Sequence, residues 1–250
     1  GKDSVAWLKD TLELADTAET AATEVPAKTG DYAVRTPLTF SGARILWQPD
    51  STTSFKGKVS IEKGPNLTLD VDYLSKQLQV KQLTIKDQYS DATVAFIHDQ
   101  GEFSLNFTGT LHHKTLEGLF IDQQFGKGQL KGDFDIKAPL TKQAVPVLKG
   151  NLEGSELVIH LPSGGKIGVD KIALVADGSQ VKADATSLSW NDFVWDPVKA
   201  TIGFDDGRIN VKISEAALCG IDTSGLLVIA GEDFSLDFTL EGKALDVETS

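Results

Sequence analysis

Two pairs of aspartates have a spacing that could support acid–base chemistry or calcium binding. Asp70 and Asp72 lie in NLTLDVDY, and Asp133 and Asp135 lie in GDFDIK. A spacing of two puts both carboxylates on one face of a β-strand, as either kind of site requires. Any polar strand face gives the same spacing, so we interpret both pairs as solvent-facing acids.

The histidines do not have the arrangement of a metal site. His98 and His160 are isolated, and His112 is followed directly by His113. Adjacent residues of a strand point to opposite faces, so His112 and His113 would need a bulge to bind one ion. The sequence therefore predicts neither a metal site nor a cofactor.

Two glycine-rich stretches lack residues that phosphate binding or nucleophilic catalysis would need. In LPSGGK (161–166), His160 stands where a phosphate-binding loop has its first glycine, and Ile167 stands where it has Ser or Thr. In GIDTSG (220–225), Asp222 occupies the first glycine position of a nucleophile elbow around Ser224. We interpret both as turns and predict a protein that is not an enzyme, although the reactivity of Cys219 stays open.

Composition excludes several classes of partner and of fold. The chain has 250 residues and a net charge of −12, which disfavours nucleic acid as a partner. No run approaches the roughly 18 apolar residues of a membrane span, and the single cysteine excludes an internal disulfide framework. Because Met is absent even at position 1, we expect a piece of a longer precursor, from which an anchor or export signal could have been lost.

Residues 1–30 are predicted to form an amphipathic α-helix followed by a linker. Val5, Leu8, Leu12 and Ala15 recur at helical spacing, and Ser4 can serve as the N-cap. The polar face of this helix is acidic, whereas a helix on a membrane surface favours Lys and Arg. We therefore expect it to pack on protein.

Residues 31–250 are predicted to form one elongated β domain. Apolar and polar residues alternate in short segments joined by turn sequences such as ADGS and DDGR. No helical segment of βαβ type separates them, which disfavours parallel α/β folds. The fold class is therefore all-β: an elongated, mostly antiparallel curled sheet, either an open groove or sandwich-like. The predicted strands cover 66–73, 78–85, 132–137, 156–161, 166–174, 180–190, 198–204 and 208–213.

An internal repeat is predicted between residues 66–108 and 197–239. At an offset of 131, VDYLSKQLQVK (71–81) aligns with IGFDDGRINVK (202–212), and FSLNFT aligns with FSLDFT. Repeating a unit that cannot cover its own apolar face would extend one continuous surface. Amphipathic strands can also be alike through composition alone, which is the alternative explanation.

An apolar stripe is the remaining candidate site. It is either the core of an ordinary β-sandwich or the lining of a trough whose edges do not close, and periodicity alone leaves both open. A trough of this kind could hold acyl chains, because each methylene gains about 0.8 kcal/mol on leaving water. The candidate lipid contacts are Phe103, Leu105, Phe107, Trp190, Phe193, Trp195, Ile209, Val211, Ile213, Phe234, Leu236, Phe238 and Leu240.

Over residues 36–250 the sequence resembles the large AsmA-like proteins of the bacterial cell envelope, which are similar to TamB in architecture. The resemblance lies in LTFSGARILWQP (38–49), LTIKDQYSDATVAF (83–96), FSLNFTGTLHHKTLEGLF (103–120), ATSLSWNDFVWDPVKATIGF (185–204) and INVKISEAALCGIDTSGLLVI (209–229). It implies a segment of a long periplasmic β-groove in a protein anchored in the inner membrane. It also implies a non-enzymatic role in phospholipid passage or outer-membrane assembly, and it favours the trough. Because 250 residues is short for this family, the segment could instead be a capping end filled by its own side chains.

Two alternative functions stay open at this point. One is a scaffold domain of the envelope that binds a protein partner by strand addition at a sheet edge. The other is a carbohydrate-binding β-sandwich with an aromatic platform of Trp47, Trp190 and Trp195 beside acids.

Overall fold

The computed structural model describes residues 33–48, 52–74, 77–99, 101–121, 126–139, 145–160, 165–205, 207–218, 220–230 and 233–242. The helix predicted in residues 1–30 and Cys219 both lie outside these described residues. Within them the elements are β1 (Ala33–Val34), β2 (Leu38–Trp47), β3 (Thr52–Ile61), β4 (Asn66–Leu74), β5 (Gln77–Lys86), β6 (Asp91–Asp99), β7 (Glu102–His112), α1 (His113–Leu119), β8 (Phe120–Ile121), β9 (Gln129–Pro139), β10 (Val147–His160), β11 (Lys166–Gly178), β12 (Gln180–Ala185), β13 (Leu188–Trp190), β14 (Phe193–Asp205), β15 (Arg208–Leu218), β16 (Ile221–Ala230) and β17 (Asp233–Gly242).

One large antiparallel sheet accounts for nearly all of these strands. Its path follows the chain, from β2 through β7 and then from β9 to β17, and a separate two-stranded sheet joins β1 to β8. In the described part of the chain, β2 and β17 are the two edges. The predicted all-β, elongated and curled antiparallel sheet is confirmed, and its main body is a single sheet rather than two packed sheets of comparable size.

β12 and β13 together occupy one strand position, which corrects the single strand predicted over 180–190. Both pair with β11 on one side and β14 on the other. The register places Thr186 opposite Pro197 of β14. Proline has no backbone N–H for the ladder, which explains the local break.

In β10 to β14, side chains alternate between the two faces of the sheet, and at the level of this break the alternation shifts by one residue. A β-carbon at Gly154 would lie 2.5 Å from Cδ1 of Leu157 and 2.9 Å from Cγ2 of Ile172. Residues 154 and 157 therefore lie on the same face, although their spacing is odd. Since Leu157 pairs with Val169 and Val169 with Leu188, β13 presents Leu188 and Trp190 to that same face.

The connections at one end of the two repeat segments lie at corresponding positions. The β4–β5 connection runs from Leu74 to Gln77, and the β14–β15 connection runs from Asp205 to Arg208, at the offset of 131. β6 and β16 end at Asp99 and Ala230, again 131 residues apart. At this offset β7 therefore corresponds to β17.

Helix α1 covers one end of the sheet and is absent from the elements predicted from sequence. Its Leu119 packs with Val59, Ile61 and Ile85 in a core cluster that Phe120 also contacts. Residues of the non-adjacent strands β3, β5 and β7 meet in this cluster, so the sheet curls around the helix. Seven residues are too few for a clear helical period, and tertiary packing stabilises such a helix.

A buried hydrogen-bond cluster anchors α1 to the β5–β6 turn. Thr115, which is fully buried, donates to Oδ1 of Asp87 (3.0 Å), and its hydroxyl lies 2.6 Å from that of Ser90. Oδ1 of Asp87 also accepts the backbone N–H groups of Tyr89 and Ser90.

We expect Thr115→Val to lower the free energy of unfolding by about 1–3 kcal/mol, because it leaves buried polar groups without their partner. The exposed Thr39→Val on β2 is the control, with an expected change within about 0.5 kcal/mol. Chemical denaturation of both variants measures the difference. Equal effects would contradict an anchoring role for Thr115.

Candidate functional site

One face of the sheet, which we call the apolar face, carries most of the large apolar side chains. Following the register from Val59 of β3 across every strand pair assigns each paired residue to this face or to the opposite, polar face. The register places no Asp, Glu, Lys or Arg on the apolar face in any described strand. The register also places His98 on this face, where it is exposed at the end of β6.

The polar face carries the charged side chains of the strands, and some of them form cross-strand pairs. Lys56 pairs with Asp70 at 2.7 Å and Lys199 with Glu215 at 2.6 Å. Exposed pairs of this kind contribute little to stability individually. The polar face is therefore a solvated surface.

The side chains of the apolar face differ in how far they are buried. Buried apolar residues such as Val59, Phe134 and Val181 all belong to it, whereas Leu105 and Ile202 remain half-buried. On the edge strands its side chains are open to solvent, with Trp47 71% exposed on β2 and Leu240 67% exposed on β17. No second large sheet covers this face within the described residues, so apolar side chains stay accessible across it.

The structure brings the predicted lipid-contact residues onto the apolar face. For Phe234 only the backbone is described, and it pairs with Ile229 of that face. The others lie on β7, β13, β14, β15 and β17: Phe103, Leu105, Phe107, Trp190, Phe193, Trp195, Ile209, Val211, Ile213, Leu236, Phe238 and Leu240. Whether they contact lipid stays a prediction.

The same face continues over β2 to β5, whose residues the sequence-based candidates omit. Phe40 and Phe55 meet there edge to face, with ring centroids 6.3 Å apart. Leu67, Leu69 and Val71 of β4 continue the stripe. Their alternation in NLTLDVDY was sufficient to identify them.

The three tryptophans do not form a platform beside acids. Trp190 pairs with Phe193, and the ring centroid of Phe193 lies 6.2 Å from that of Trp195. Trp47 lies on the edge strand β2, far along the sheet. All three belong to the apolar face, opposite the one that carries the paired acids.

Both predicted acid pairs lie on the polar face. Asp72 pairs with Lys81 at 2.6 Å, and this hydrogen bond lowers the pKa of Asp72 and raises that of Lys81. Asp135 accepts from Nδ2 of Asn106 at 2.6 Å. These partners are typical of solvent-facing acids on a strand.

His112 and His113 are not two successive strand residues, which corrects the reasoning from sequence. His113 begins α1, and the two rings lie 4.3 Å apart. Nδ1 of His112 accepts from the N–H of Lys114, and Nδ1 of His113 accepts from that of Gly128. The described residues contain no cluster of three or more His, Cys, Asp or Glu that could hold a metal ion.

Burial lowers the pKa of His112, and the charges of His113 and Lys114 lower it further, against an opposing effect of Asp87 and Glu117. A depressed histidine pKa means that the unfolded chain binds more protons, so the stabilisation is complete above about pH 6.5 and is lost as pH falls through the folded-state pKa. We expect His112→Asn, which keeps an N-cap acceptor without titrating, to reduce the loss of melting temperature between pH 7.5 and pH 5. An unchanged loss would contradict this account.

The glycine-rich stretches connect or form strands. Residues 161–164 lie outside the described residues, Gly165 directly precedes β11, and Lys166 is the first residue of that strand. Ser224 lies within β16 rather than at a turn into a helix. Neither placement is that of a phosphate loop or a nucleophile elbow.

In the described part of the chain, no helix is long and apolar enough to cross a membrane. Comparison with protein-family models, curated proteins and solved structures finds no match to this chain. The AsmA-like resemblance therefore stays a prediction.

Proposed function

We propose that the apolar face binds the acyl chains of phospholipid and guides them across the sheet, without catalysing a reaction. The observation that carries this proposal is a face without Asp, Glu, Lys or Arg that crosses fourteen strands and stays accessible. Such faces are normally covered by protein, because exposed apolar area is unfavourable.

The dimensions of the face suit acyl chains. Thirteen steps between neighbouring strands of about 4.8 Å give a path of roughly 60 Å measured along the sheet. One membrane leaflet is about 15 Å deep, half of the roughly 30 Å hydrocarbon core. Several acyl chains could therefore lie along the face, and a chain of about 12 methylenes would avoid about 10 kcal/mol of exposure to water.

The proposed setting follows the AsmA-like resemblance. The protein would act in the periplasm, in phospholipid passage between the two membranes or in outer-membrane assembly. An inner-membrane anchor would provide its contact with the membrane, and envelope proteins would be its protein partners.

Native mass spectrometry of protein purified from bacterial cells without detergent tests the proposal. The expected result is a set of adducts with the masses of phospholipids, which organic extraction removes. Adduct-free protein, both as purified and after incubation with vesicles of phosphatidylethanolamine and phosphatidylglycerol, would overturn it.

A further inference from the structure

A row of four large apolar residues ends the apolar face where β10, β11, β13 and β14 reach the border of the sheet. The register joins Ile159 to Ile167, Ile167 to Trp190 and Trp190 to Phe193. We call these four residues the apolar rim. Three of them are more than half exposed, Ile159 by 52%, Trp190 by 53% and Phe193 by 58%. A contiguous exposed apolar patch of this kind is typical of an interaction site.

The apolar rim leads directly into the more buried part of the apolar face. One row further in, the register joins Leu157, Val169, Leu188 and Trp195 on the same four strands. Val169 is buried, and the other three are half-buried. Neither row contains a charged residue, so an acyl chain could pass from the rim to the interior of the face in contact with apolar side chains alone.

The residue types at the apolar rim suit a phospholipid surface. Tryptophan is enriched at the boundary between membrane and water, because its ring is apolar and its N–H is polar. The ends of the strands beyond the rim carry exposed side chains of both signs, Lys166 next to Ile167 and Asp192 in the turn between Trp190 and Phe193. Phosphatidylethanolamine has a phosphate and an ammonium in its headgroup, so both signs have a partner there.

We propose that the apolar rim docks on the surface of a phospholipid bilayer, and that acyl chains move there between the membrane and the apolar face. The transfer of acyl chains rests on the proposed function, whereas docking requires only the rim. Strand side chains stand roughly perpendicular to their sheet, so the rim contacts the bilayer through the apolar face and not through the polar one.

Flotation of the whole chain with vesicles of phosphatidylcholine and phosphatidylethanolamine tests docking. Phe193→Asp should lower the partition coefficient at least about fivefold, because it replaces an apolar contact by a carboxylate. The adjacent Val194 is the matched control, since it is 49% exposed and pairs with Ser189 on the polar face. Val194→Asp should change the partition coefficient by no more than about twofold. Equal losses in the two variants, or no flotation of the unmodified chain, would overturn the proposal.

Leu105→Asp distinguishes docking from lipid binding inside the apolar face. It should lose co-purified phospholipid and still float with the vesicles, because Leu105 lies on β7 and outside the rim. If Leu105→Asp stops flotation, the contact lies in the interior of the face and the rim proposal is wrong. If the unmodified chain floats but carries no lipid adducts, docking stands and the proposed function fails.

Quenching of tryptophan emission by phospholipid brominated in its acyl chains locates the contact. In the Leu105→Asp background, we expect the loss of quenching to be at least about twice as large for Trp190→Phe as for Trp47→Phe, because an indole at the membrane interface lies beside acyl chains. Trp47 is the control, since it is 71% exposed on the same face but lies on the edge strand β2. Equal losses would show that the face as a whole lies on the membrane, which would overturn the assignment to the rim.

Discussion

Protein carrying Leu105→Asp should retain at most about a fifth of the phospholipid that co-purifies with the unmodified chain. β7 is the sixth of fourteen strands counted from the β2 edge, so Leu105 lies near the middle of the apolar face. A carboxylate there would lose hydration to any acyl chain that covers it. Burial of a polar group without a partner costs about 1–3 kcal/mol, and a charge costs more. This is at least about a 5- to 150-fold loss of affinity at that position.

The neighbouring residue Ser104 provides a matched control. Ser104 pairs with Lys137 on the polar face, so Ser104→Asp adds the same charge to the same strand on the solvated side. We expect it to leave the amount of bound phospholipid unchanged within about twofold. Equal loss in both variants would indicate an effect of net charge rather than of the apolar face.

A second variant separates lipid binding from folding. Leu105 is half-buried, so Asp at this position also lowers stability, whereas Leu236 on the edge strand is already 55% exposed. Leu236→Asp should therefore fold with little change in melting temperature and still bind less lipid than Ser235→Asp on the polar face. If neither apolar-face variant reduces lipid once its folding is verified by circular dichroism, the residues form a core and the proposed function is wrong.

The extent of the apolar face could be predicted from sequence only where strands alternate without interruption. Phe103, Leu105 and Phe107 share a face because successive strand residues point to opposite sides. Trp190 is different, since unbroken alternation from Val181 would have put it on the polar face. The change of face at the level of Pro197 moves it to the apolar face, and the evidence for that change is the contact of a β-carbon at Gly154 with both Leu157 and Ile172.

The absence of a covering layer could not be predicted from local sequence. The alternation of apolar and polar residues shows only that each strand has one apolar side. It is therefore the same in a sandwich core and in an uncovered face. The order of strand pairing decides between them, and it depends on contacts between distant segments, such as the β7–β9 pair that bypasses α1. Helix α1 itself depends on the buried contacts of Thr115 with Asp87 and Ser90.

Replacing Gly150 with alanine should strongly destabilise the sheet. Gly150 lies on the apolar face of β10 opposite Phe134, with a φ of 109°. A β-carbon there would overlap the backbone carbonyl of Asp133. Backbone atoms held in the hydrogen-bond ladder cannot move aside as the end of a flexible side chain can, so the overlap adds to the strain of a positive φ. We expect a loss of at least about 3 kcal/mol in the free energy of unfolding.

Gly203→Ala on β14 is the control for this prediction. Gly203 has no positive φ, and the nearest atom to an added β-carbon is the carbonyl oxygen of Asn210 at 3.9 Å. Alanine there only reduces the freedom of the unfolded chain, so we expect stability to rise by up to about 1 kcal/mol or to stay unchanged. Urea denaturation of both variants measures the contrast. A Gly150→Ala protein as stable as Gly203→Ala would mean that β9 and β10 approach each other less closely at this point than the structure indicates.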